Sequence, residues 1–224
     1  MACVQTDLFD AIAPPLPAGC VLAHEFLSAE EEHALLAVLR ALPFEAARYK
    51  GYTARRRIAS YGGRFDYDTN TLRPSPPMPA SLAPLRDKVA RWLGVEPSRF
   101  AHVLVSEYAP GTPLGWHRDV PAFESIVGVC LLGAARMRLR RYPPLHPKAA
   151  DVLNLALPPR AAYVLTGSAR WDWQHSIAPT EALRYSVTLR TRRGDALPLP
   201  PAGPAGPAVL ESSALSDTRM RASP

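Results

Sequence analysis

The sequence has little cysteine and no long apolar run. Its 224 residues include three cysteines, Cys3, Cys20 and Cys130, whose spacing fits neither a metal-binding nor a redox pair. Isolated thiols of this kind are typical of a reducing compartment. The N-terminal stretch lacks the basic region and apolar core of a signal peptide, and no segment reaches the roughly 20 apolar residues of a membrane span. We therefore exclude a disulfide-stapled scaffold and a membrane partner, and we expect a cytoplasmic protein.

Lysine is scarce although the chain is basic. Of 26 basic residues only Lys50, Lys88 and Lys148 are lysines, which leaves 23 arginines. The formal net charge is +6 and the isoelectric point is about 9.5. A guanidinium binds phosphate with two donors and stacks on rings, so the arginine excess suits a polyanionic partner. The chain is also rich in alanine and proline, and a genome-wide composition bias would produce the same arginine excess without any function. Both explanations stay open at this point.

Periodicity divides the chain into an N-terminal helical part and a C-terminal part of strands. Ser28 and Glu31 form a capping box that predicts the start of a helix, and apolar residues at helical spacing predict a second helix that ends at Gly94. From residue 101 onward, runs with a period of two alternate with Gly and Pro: AHVLVSEY, ESIVGVCLL, RMRLRRY, VLNLAL, AAYVLT and RYSVTLR. The pattern predicts a mainly β fold of the α+β class, a double-stranded β-helix (jelly-roll) core with flanking N-terminal helices.

The length suits one domain with loose ends. We expect a flexible N-terminus over residues 1–18, one folded domain over residues 19–193 and a tail over residues 194–224. The tail is rich in Pro, Ala and Ser and is predicted to be disordered. A docking peptide is the alternative for this tail.

Two histidines and one aspartate have the spacing of a mononuclear metal site. His117 and Asp119 are two residues apart, so both side chains point to one face at the end of a strand, and His175 joins them from another strand. Two imidazoles and a carboxylate leave open positions on a metal, which non-haem iron(II) needs to bind a keto acid and O2 together. An isolated H-x-D is also typical of a polar strand end, but with His175 and a later arginine it predicts an iron site. The other histidines lack ligand spacing and are expected to be structural: His24, His33, His102 and His146.

A strand with two arginines follows the metal motif. Arg184 and Arg190 are six residues apart, so in a strand they share one face with Ser186 between them. A guanidinium fork matches a carboxylate, so we expect Arg184 to hold the distal carboxylate of 2-oxoglutarate and Arg190 to lie nearer the iron. Ser106 and Tyr108 share a face of the strand that leads to the metal motif. The alternatives are arginines paired with acidic residues on a solvated face and, for Tyr108, an ordinary core aromatic.

Together these motifs resemble a known family. The run Y-x-P-G ahead of H-R-D, followed by His175 and by R-Y-S-V-T-L-R, is similar to the AlkB-like oxygenases, and the resemblance covers about residues 19 to 193. It implies a jelly-roll core, with an N-terminal lid that recognises nucleobases, and the cofactors Fe(II), 2-oxoglutarate and O2. The iron ligands that it implies are His117, Asp119 and His175. The 2-oxoglutarate contacts are Ser106, Tyr108, Arg184, Ser186 and Arg190.

Three positions differ from the family pattern. Ser106 stands where the family pattern usually has Asn, and Ser186 stands where many repair members have Asn. Pro121 stands where some DNA-repair members have an acidic residue that contacts the base. The fold and the cofactor that the resemblance implies do not depend on these positions.

A basic and aromatic segment occupies the position of the lid. From Arg48 to Arg64 no acidic residue interrupts the basic ones, and tyrosines are interleaved. An unpaired base needs aromatic rings to stack on, and its phosphates need cations. The substrate contacts that we expect are Arg55, Arg56, Arg57, Tyr61, Arg64 and Tyr67. The arginines of RMRLRRY could extend this patch, and a solvated arginine-rich loop is the alternative.

The sequence therefore predicts an enzyme, an Fe(II)- and 2-oxoglutarate-dependent dioxygenase. The resemblance implies oxidative demethylation or hydroxylation of alkylated nucleobases in DNA or RNA, as in DNA repair or RNA modification. An oxidised N-methyl group would leave as formaldehyde, whereas another substituent would keep the alcohol. The alternatives are a protein or small-molecule hydroxylase on the same core and a nucleic-acid-binding module without catalysis. We expect a monomer that binds single-stranded nucleic acid or a flipped base.

Overall fold

Strands dominate the described part of the chain, which comprises residues 15–49, 52–66, 69, 71–145 and 148–201 of a computed structural model. In chain order the elements are β1 (Cys20–Ala23), α1 (Ala29–Arg40), β2 (Glu45–Tyr49), β3 (Tyr52–Tyr61), β4 (Arg64–Asp66), β5 (Thr71–Arg73), α2 (Ala83–Leu93), β6 (His102–Tyr108), β7 (Leu114–His117), β8 (Phe123–Leu131), β9 (Ala135–Arg141), β10 (Leu153–Leu157), β11 (Ala162–Leu165), α3 (Gly167–Trp171), β12 (Trp173–Ile177) and β13 (Arg184–Arg192). Short 3-10 turns cover Ala80–Leu82, Pro97–Arg99 and Ala149–Asp151. Among these elements, none of the α-helices has the length and apolar character needed to cross a membrane.

Two antiparallel sheets pack face to face. The major sheet has seven strands in the order β1-β11-β8-β13-β6-β3-β2, and the minor sheet has four in the order β10-β9-β12-β7. Side chains from both sheets meet in one apolar cluster, where Ile126 of β8 and Leu165 of β11 join Leu139 of β9 and Leu155 of β10. The strands β4 and β5 form a separate ribbon. The expected mainly β jelly-roll is therefore confirmed.

The other face of the major sheet is covered by the two long helices. The capping box predicted from Ser28 and Glu31 is present at the start of α1, and α2 ends at Gly94, whose φ of 65° is left-handed. Apolar residues of both helices pack on the sheet in a second cluster, which includes Leu39 and Val89. Burial on the helix side leaves the opposite face of the major sheet to form the interior between the sheets.

Strand alternation places a cavity between the sheets. Along β13, Tyr185, Val187 and Leu189 belong to the helix-side cluster. The residues at even spacing from Arg184 point the other way, and both Arg184 and Arg190 line the cavity. One strand therefore carries an apolar face for the core and a charged face for the site.

The basic segment differs from the expected lid. Residues 52–61 form β3, a ten-residue strand that pairs with β6 inside the major sheet. Alternation along a strand sends neighbouring side chains to opposite faces. The arginines of this segment consequently cannot all reach one ligand.

Residues on both sides of the predicted domain, 19–193, contact its core. Nε of Arg99 donates to Oδ1 of Asp195 over 2.9 Å, and Leu197, 4% exposed, packs into the helix-side cluster. Leu16 packs against the cluster between the sheets. Side chains just outside residues 19–193 are therefore held by the core. The rest of the predicted flexible ends, residues 1–14 and 202–224, lies outside the described residues.

Candidate active site

Strand pairing brings the three expected metal ligands together. His117 at the end of β7 lies opposite His175 on β12, and their ring centroids are 4.2 Å apart. Asp119 follows two residues after His117, and its Oδ2 lies 3.6 Å from Nε2 of His175. One ligand atom from each residue lies within 4.8 Å of the others, which suits a single ion.

Further contacts determine which atom of each ligand faces the ion position. Nδ1 of His117 lies 2.9 Å from the carbonyl oxygen of Gly115, so this nitrogen carries the proton and Nε2 is left for a metal. Arg190 donates from Nε and Nη2 to Oδ1 of Asp119 over 2.9 and 2.7 Å, which leaves Oδ2. Two imidazole nitrogens and one carboxylate oxygen are the donor set of non-haem iron(II). The residues present therefore fit that ion.

Burial and the charge of Arg190 together set the protonation states of the three ligands. Removal from water lowers the pKa of His117, and burial together with the nearby His117 lowers the pKa of His175 to about 3. Burial alone would raise the pKa of the Asp119 carboxyl, but the Arg190 guanidinium holds it well below its usual range. At neutral pH the site offers two neutral imidazoles and one carboxylate, the forms that bind a metal without releasing a proton.

A buried arginine fixes the backbone that carries Asp119. Nη2 of Arg170 donates to the carbonyl oxygens of Asp119, Val120 and Phe123 over 3.0, 2.9 and 2.9 Å. Arg170 lies in α3, directly before the strand that carries His175. Sequence reasoning missed this residue, because no local pattern connects it to a loop about fifty positions earlier.

The far end of the cavity holds a buried guanidinium with open donors. Arg184 is 1% exposed, its Nη2 lies 3.5 Å from the Cys130 sulfur, and its Cζ lies 4.9 Å from the centroid of the Tyr108 ring. Nε and Nη1 of Arg184 have no hydrogen-bond partner among the described residues. A buried charge requires a counter-charge or hydrogen bonds. These open donors fit the distal carboxylate of 2-oxoglutarate.

The expected neighbours of Arg184 line the same cavity. Across the β6–β13 pair, Tyr108 lies opposite Arg184 and Ser106 lies opposite Ser186. All of them line the cavity that contains the metal triad, and so does Arg190. The structure thus brings together every residue that the sequence assigned to 2-oxoglutarate.

His102 belongs to the site although the sequence analysis expected a structural role for it. It lies opposite Arg190 on β6, and its Nδ1 is 3.2 Å from Nη1 of Arg190. Its Nε2 lies 3.1 Å from Oγ of Ser60 on β3. The available signal was strand parity, since residue 102 is an even number of positions before Ser106 and Tyr108 and therefore shares their face.

The mouth of the cavity is basic and aromatic. By the mouth we mean four exposed or half-buried residues that line the cavity containing the metal triad: Arg48 of β2, Arg56 of β3, Phe65 of β4 and Arg118. Arg56 is close enough to His117 to lower the pKa of that imidazole, although less than burial does. The cavity therefore presents cations and a ring together with the iron ligands.

Of the six expected substrate contacts, only Arg56 is placed at the cavity. Arg57 lies on the opposite face of β3, where Nε donates to Glu107 over 2.7 Å, and Arg55 shares that face by alternation. Tyr61 is buried in the helix-side cluster. The structure does not bring these three residues to the cavity, because the segment is a strand. The side chain of Arg64 and the whole of Tyr67 lie outside the described residues.

A family model described as the 2OG-Fe(II) oxygenase superfamily matches residues 19–193. The chain belongs to this superfamily. Its members use iron(II), 2-oxoglutarate and O2, and the His-Asp-His triad of the structure fits the iron. The chain is therefore an oxidoreductase.

Curated relatives place the chain among the AlkB-like oxygenases. It is 30% identical over 196 residues to the "Alkylated DNA repair protein ALKBH8 homolog" of Arabidopsis thaliana, covering 78% of this chain and 54% of that protein. It is 28% identical over 170 residues to mouse "tRNA (carboxymethyluridine(34)-5-O)-methyltransferase ALKBH8", covering 73% of this chain and 25% of that protein. The chain thus spans from a quarter to about half the length of these relatives.

Solved structures show the same fold. The structure of OsALKBH1 matches with a TM-score of 0.61 at 14% identity, covering 79% of this chain and all of that chain. A 2OG-Fe(II) oxygenase-family oxidoreductase from Burkholderia pseudomallei matches with a TM-score of 0.51 at 16% identity, covering 80% of this chain and 88% of that chain. The resemblance of the sequence to AlkB-like oxygenases is confirmed.

Proposed function

We propose that the protein oxidises a modified base of RNA or DNA, presented single-stranded or flipped out of a duplex. The observation that carries this proposal is the cavity mouth. Arg48 and Arg56 supply positive charge and Phe65 supplies a ring, and all three line the cavity that holds the metal triad. Cations for phosphates and an aromatic face for a base are what an extruded nucleotide requires.

The chain's own residues provide binding and orientation. His117, Asp119 and His175 would hold Fe(II), and Arg184 would hold the distal carboxylate of 2-oxoglutarate beside Tyr108. When bound, Fe(II), 2-oxoglutarate and O2 together supply the oxidation, in which 2-oxoglutarate is converted to succinate and CO2. Arg190 and Arg170 keep Asp119 in place, so the protein fixes where oxidation occurs and the mouth selects what is oxidised.

The names of the relatives support a nucleic-acid substrate. One is named for repair of alkylated DNA and others for methylation of a tRNA uridine. Those names describe proteins that are longer than this chain. They therefore support nucleic acid as the class of substrate and do not identify the modified base. An N-methyl substrate would release formaldehyde, whereas a substituent attached through carbon would keep its new hydroxyl group.

The test is stimulation of 2-oxoglutarate turnover by modified nucleic acid. Holoenzyme is incubated with single-stranded RNA and DNA oligonucleotides that each carry one modified base, and with total tRNA, and succinate and digested nucleosides are measured. We expect at least one substrate to raise succinate formation and to lose a methyl group or gain oxygen. Stimulation only by peptides or small molecules would instead establish the hydroxylase alternative.

Two neighbouring arginines provide the matched comparison. Arg56→Gln removes a charge from the mouth and should lose most of the stimulation by nucleic acid. Arg55→Gln removes the same charge from the opposite face of β3 and should keep it. Equal behaviour of the two variants would mean that the mouth does not recognise the substrate.

A further inference from the structure

The outer face of the minor sheet carries an arginine cluster that the cavity does not use. On β9 and β12, Leu139 and His175 face the interior, so Arg138, Arg140 and Gln174 face outward by alternation. Trp116 of β7 lies under both arginines, with its ring centroid 5.2 Å from Cζ of Arg138 and 4.3 Å from Cζ of Arg140. We name Trp116, Arg136, Arg138 and Arg140 the outer arginine face.

These arginines are fixed in place but not neutralised. Nε of Arg138 donates to Oγ of Ser176, and Nε of Arg140 donates to Oε1 of Gln174, both over 2.9 Å. None of the four strands of the minor sheet contains Asp or Glu. Within the described chain, no carboxylate lies at ion-pair distance from Arg136, Arg138 or Arg140. Their terminal N–H groups are therefore available to a ligand outside the chain.

The outer arginine face is connected to the cavity mouth. Arg118 follows the metal ligand His117 and lines the cavity. Its Cζ lies 3.8 Å from the ring centroid of Tyr142, which comes directly after β9. Tyr142 and Arg118 thus form a bridge of a ring and a cation between the site and the arginines of β9.

We propose that the outer arginine face binds the sugar-phosphate backbone of the strand whose base occupies the cavity. This inference rests on the proposed function. A guanidinium stacked on an indole presents its N–H edge to the side, and that edge matches the oxygen atoms of a phosphate. Several uncompensated cations in a row attract a polyanion by releasing its counterions.

On the helix side of the major sheet, Arg57 does not compete for this role. Arg57 is paired with Glu107 on the helix side of β3, with 2.7 Å between Nη2 and Oε1. An acidic protein segment could satisfy the charge of the outer arginine face, but it would not explain the bridge to the cavity mouth. A nucleic-acid strand explains both, because its flanking phosphates continue from the base held in the cavity.

The experiment compares short and long strands. Fluorescence anisotropy measures binding of the holoenzyme to labelled single-stranded RNA of about 4 and about 20 nucleotides over a range of salt concentrations. We expect R138Q/R140Q to weaken binding of the long strand on the order of tenfold and to reduce its salt slope by up to about 1.4. Binding of the short strand, which reaches only the cavity, should change little.

Two further variants keep the result interpretable. R136Q removes an exposed charge that has no side-chain partner among the described residues, so it should reduce the long-strand slope without affecting the fold. R40Q/R91Q removes two exposed charges from the ends of α1 and α2, beyond the other face of the major sheet, and should leave the slope unchanged.

The possible failures can be told apart. If the wild type binds the long strand and is stimulated by it, but R138Q/R140Q and R136Q keep the full salt slope, the outer arginine face is not the binding surface. If polyglutamate displaces the long strand as effectively as RNA does, the assignment to nucleic acid is overturned. If the wild type shows neither salt-dependent binding nor stimulation, the proposed function fails as well.

Discussion

Each end of the cavity contains a buried arginine, but only the arginine at the iron end is paired with a carboxylate of the described chain. Arg190 and Arg184 lie six residues apart on β13 and are 8% and 1% exposed. At the iron end, Arg190 donates twice to Asp119 and also contacts His102. At the far end, Arg184 has a sulfur and a ring beside it, and Nε and Nη1 have no partner within the described chain.

The difference separates a structural charge from a charge that awaits a ligand. A buried donor without a partner costs about 1 to 3 kcal/mol, and more when it is charged. The iron end avoids this cost within the chain, because Arg190 and Asp119 neutralise each other. The far end does not avoid this cost within the chain, so binding of a carboxylate there lowers the free energy of the protein. Asymmetry of this kind orients a dicarboxylate with one end at the iron and the other at Arg184.

Removing Asp119 should have the largest effect, since it destroys the iron end. Asp119→Ala takes away the only carboxylate of the triad and leaves Arg190 without its carboxylate partner. We expect loss of iron(II) binding in anaerobic titration and loss of 2-oxoglutarate turnover, with His117→Ala behaving alike. Unchanged succinate formation in either variant would show that the triad is not the iron site.

Replacing Arg190 should cost more stability than replacing Arg184 or His102. Arg190→Met leaves the Asp119 carboxylate buried without its partner, and breaking such a pair costs about 3 to 5 kcal/mol. The measurement is urea unfolding of the metal-free protein. Arg193→Met is the matched control, because its ion pair with Glu124 is 3.6 Å long and its side chain is 59% exposed. We expect the control to cost less than about 1 kcal/mol.

Replacing Arg184 should affect the ligand and spare the fold. Arg184→Met removes a buried charge that lacks a partner, so the metal-free protein should be as stable as the wild type or more stable. Affinity for 2-oxoglutarate should fall about 10- to 150-fold, which corresponds to the roughly 1.5 to 3 kcal/mol of a charged hydrogen bond. The thermal shift that 2-oxoglutarate gives the wild type should shrink accordingly. An equal loss of iron affinity would contradict the role assigned to Arg184.

Strand parity explains how much of this site the sequence could predict. The pairs His117 with Asp119 and Arg184 with Arg190 follow from even spacing, and His175 follows from the order of the ligand motif. The structure places all five residues on one cavity. The same rule, applied to β6, would also have found His102. His102 has no ligand spacing, which by itself predicts a structural role. The face that it shares with Tyr108 is the signal that places it at the site.

Other parts of the site depend on contacts that no local pattern encodes. Arg170 reaches Asp119 only because α3 packs beside the loop that follows β7. Arg55 and Arg57 have the composition of a binding loop, but the pairing of β3 with β6 turns them away from the cavity. The pairing of strands therefore determines which arginines line the cavity, and composition alone does not predict it.

His102 tests how far the iron end depends on its outer contacts. Ser60 Oγ donates to the carbonyl oxygen of Gly63 over 2.7 Å, so the hydroxyl oxygen accepts from His102 Nε2. Nδ1 is then unprotonated and accepts from Arg190. Burial, and secondarily the charge of Arg190, lowers the pKa of His102 to about 3, in agreement with a neutral ring.

Replacing His102 should therefore have the smallest effect of the four. His102→Leu removes one acceptor from Arg190 but leaves both bonds to Asp119, so we expect a loss of about 1 kcal/mol in urea unfolding and little change in iron affinity. His102→Gln offers an acceptor and a donor again and should recover most of that loss. Because the folded pKa lies below the ordinary 6.5, the neutral ring's contribution to stability is lost as pH falls from about 6.5 toward 3, and His102→Gln should remove that part of the acid slope. If His102→Leu lowered the free energy of unfolding as much as Arg190→Met does, the position of Arg190 would depend on His102. The pair of Arg190 with Asp119 would then not be sufficient to hold the iron end.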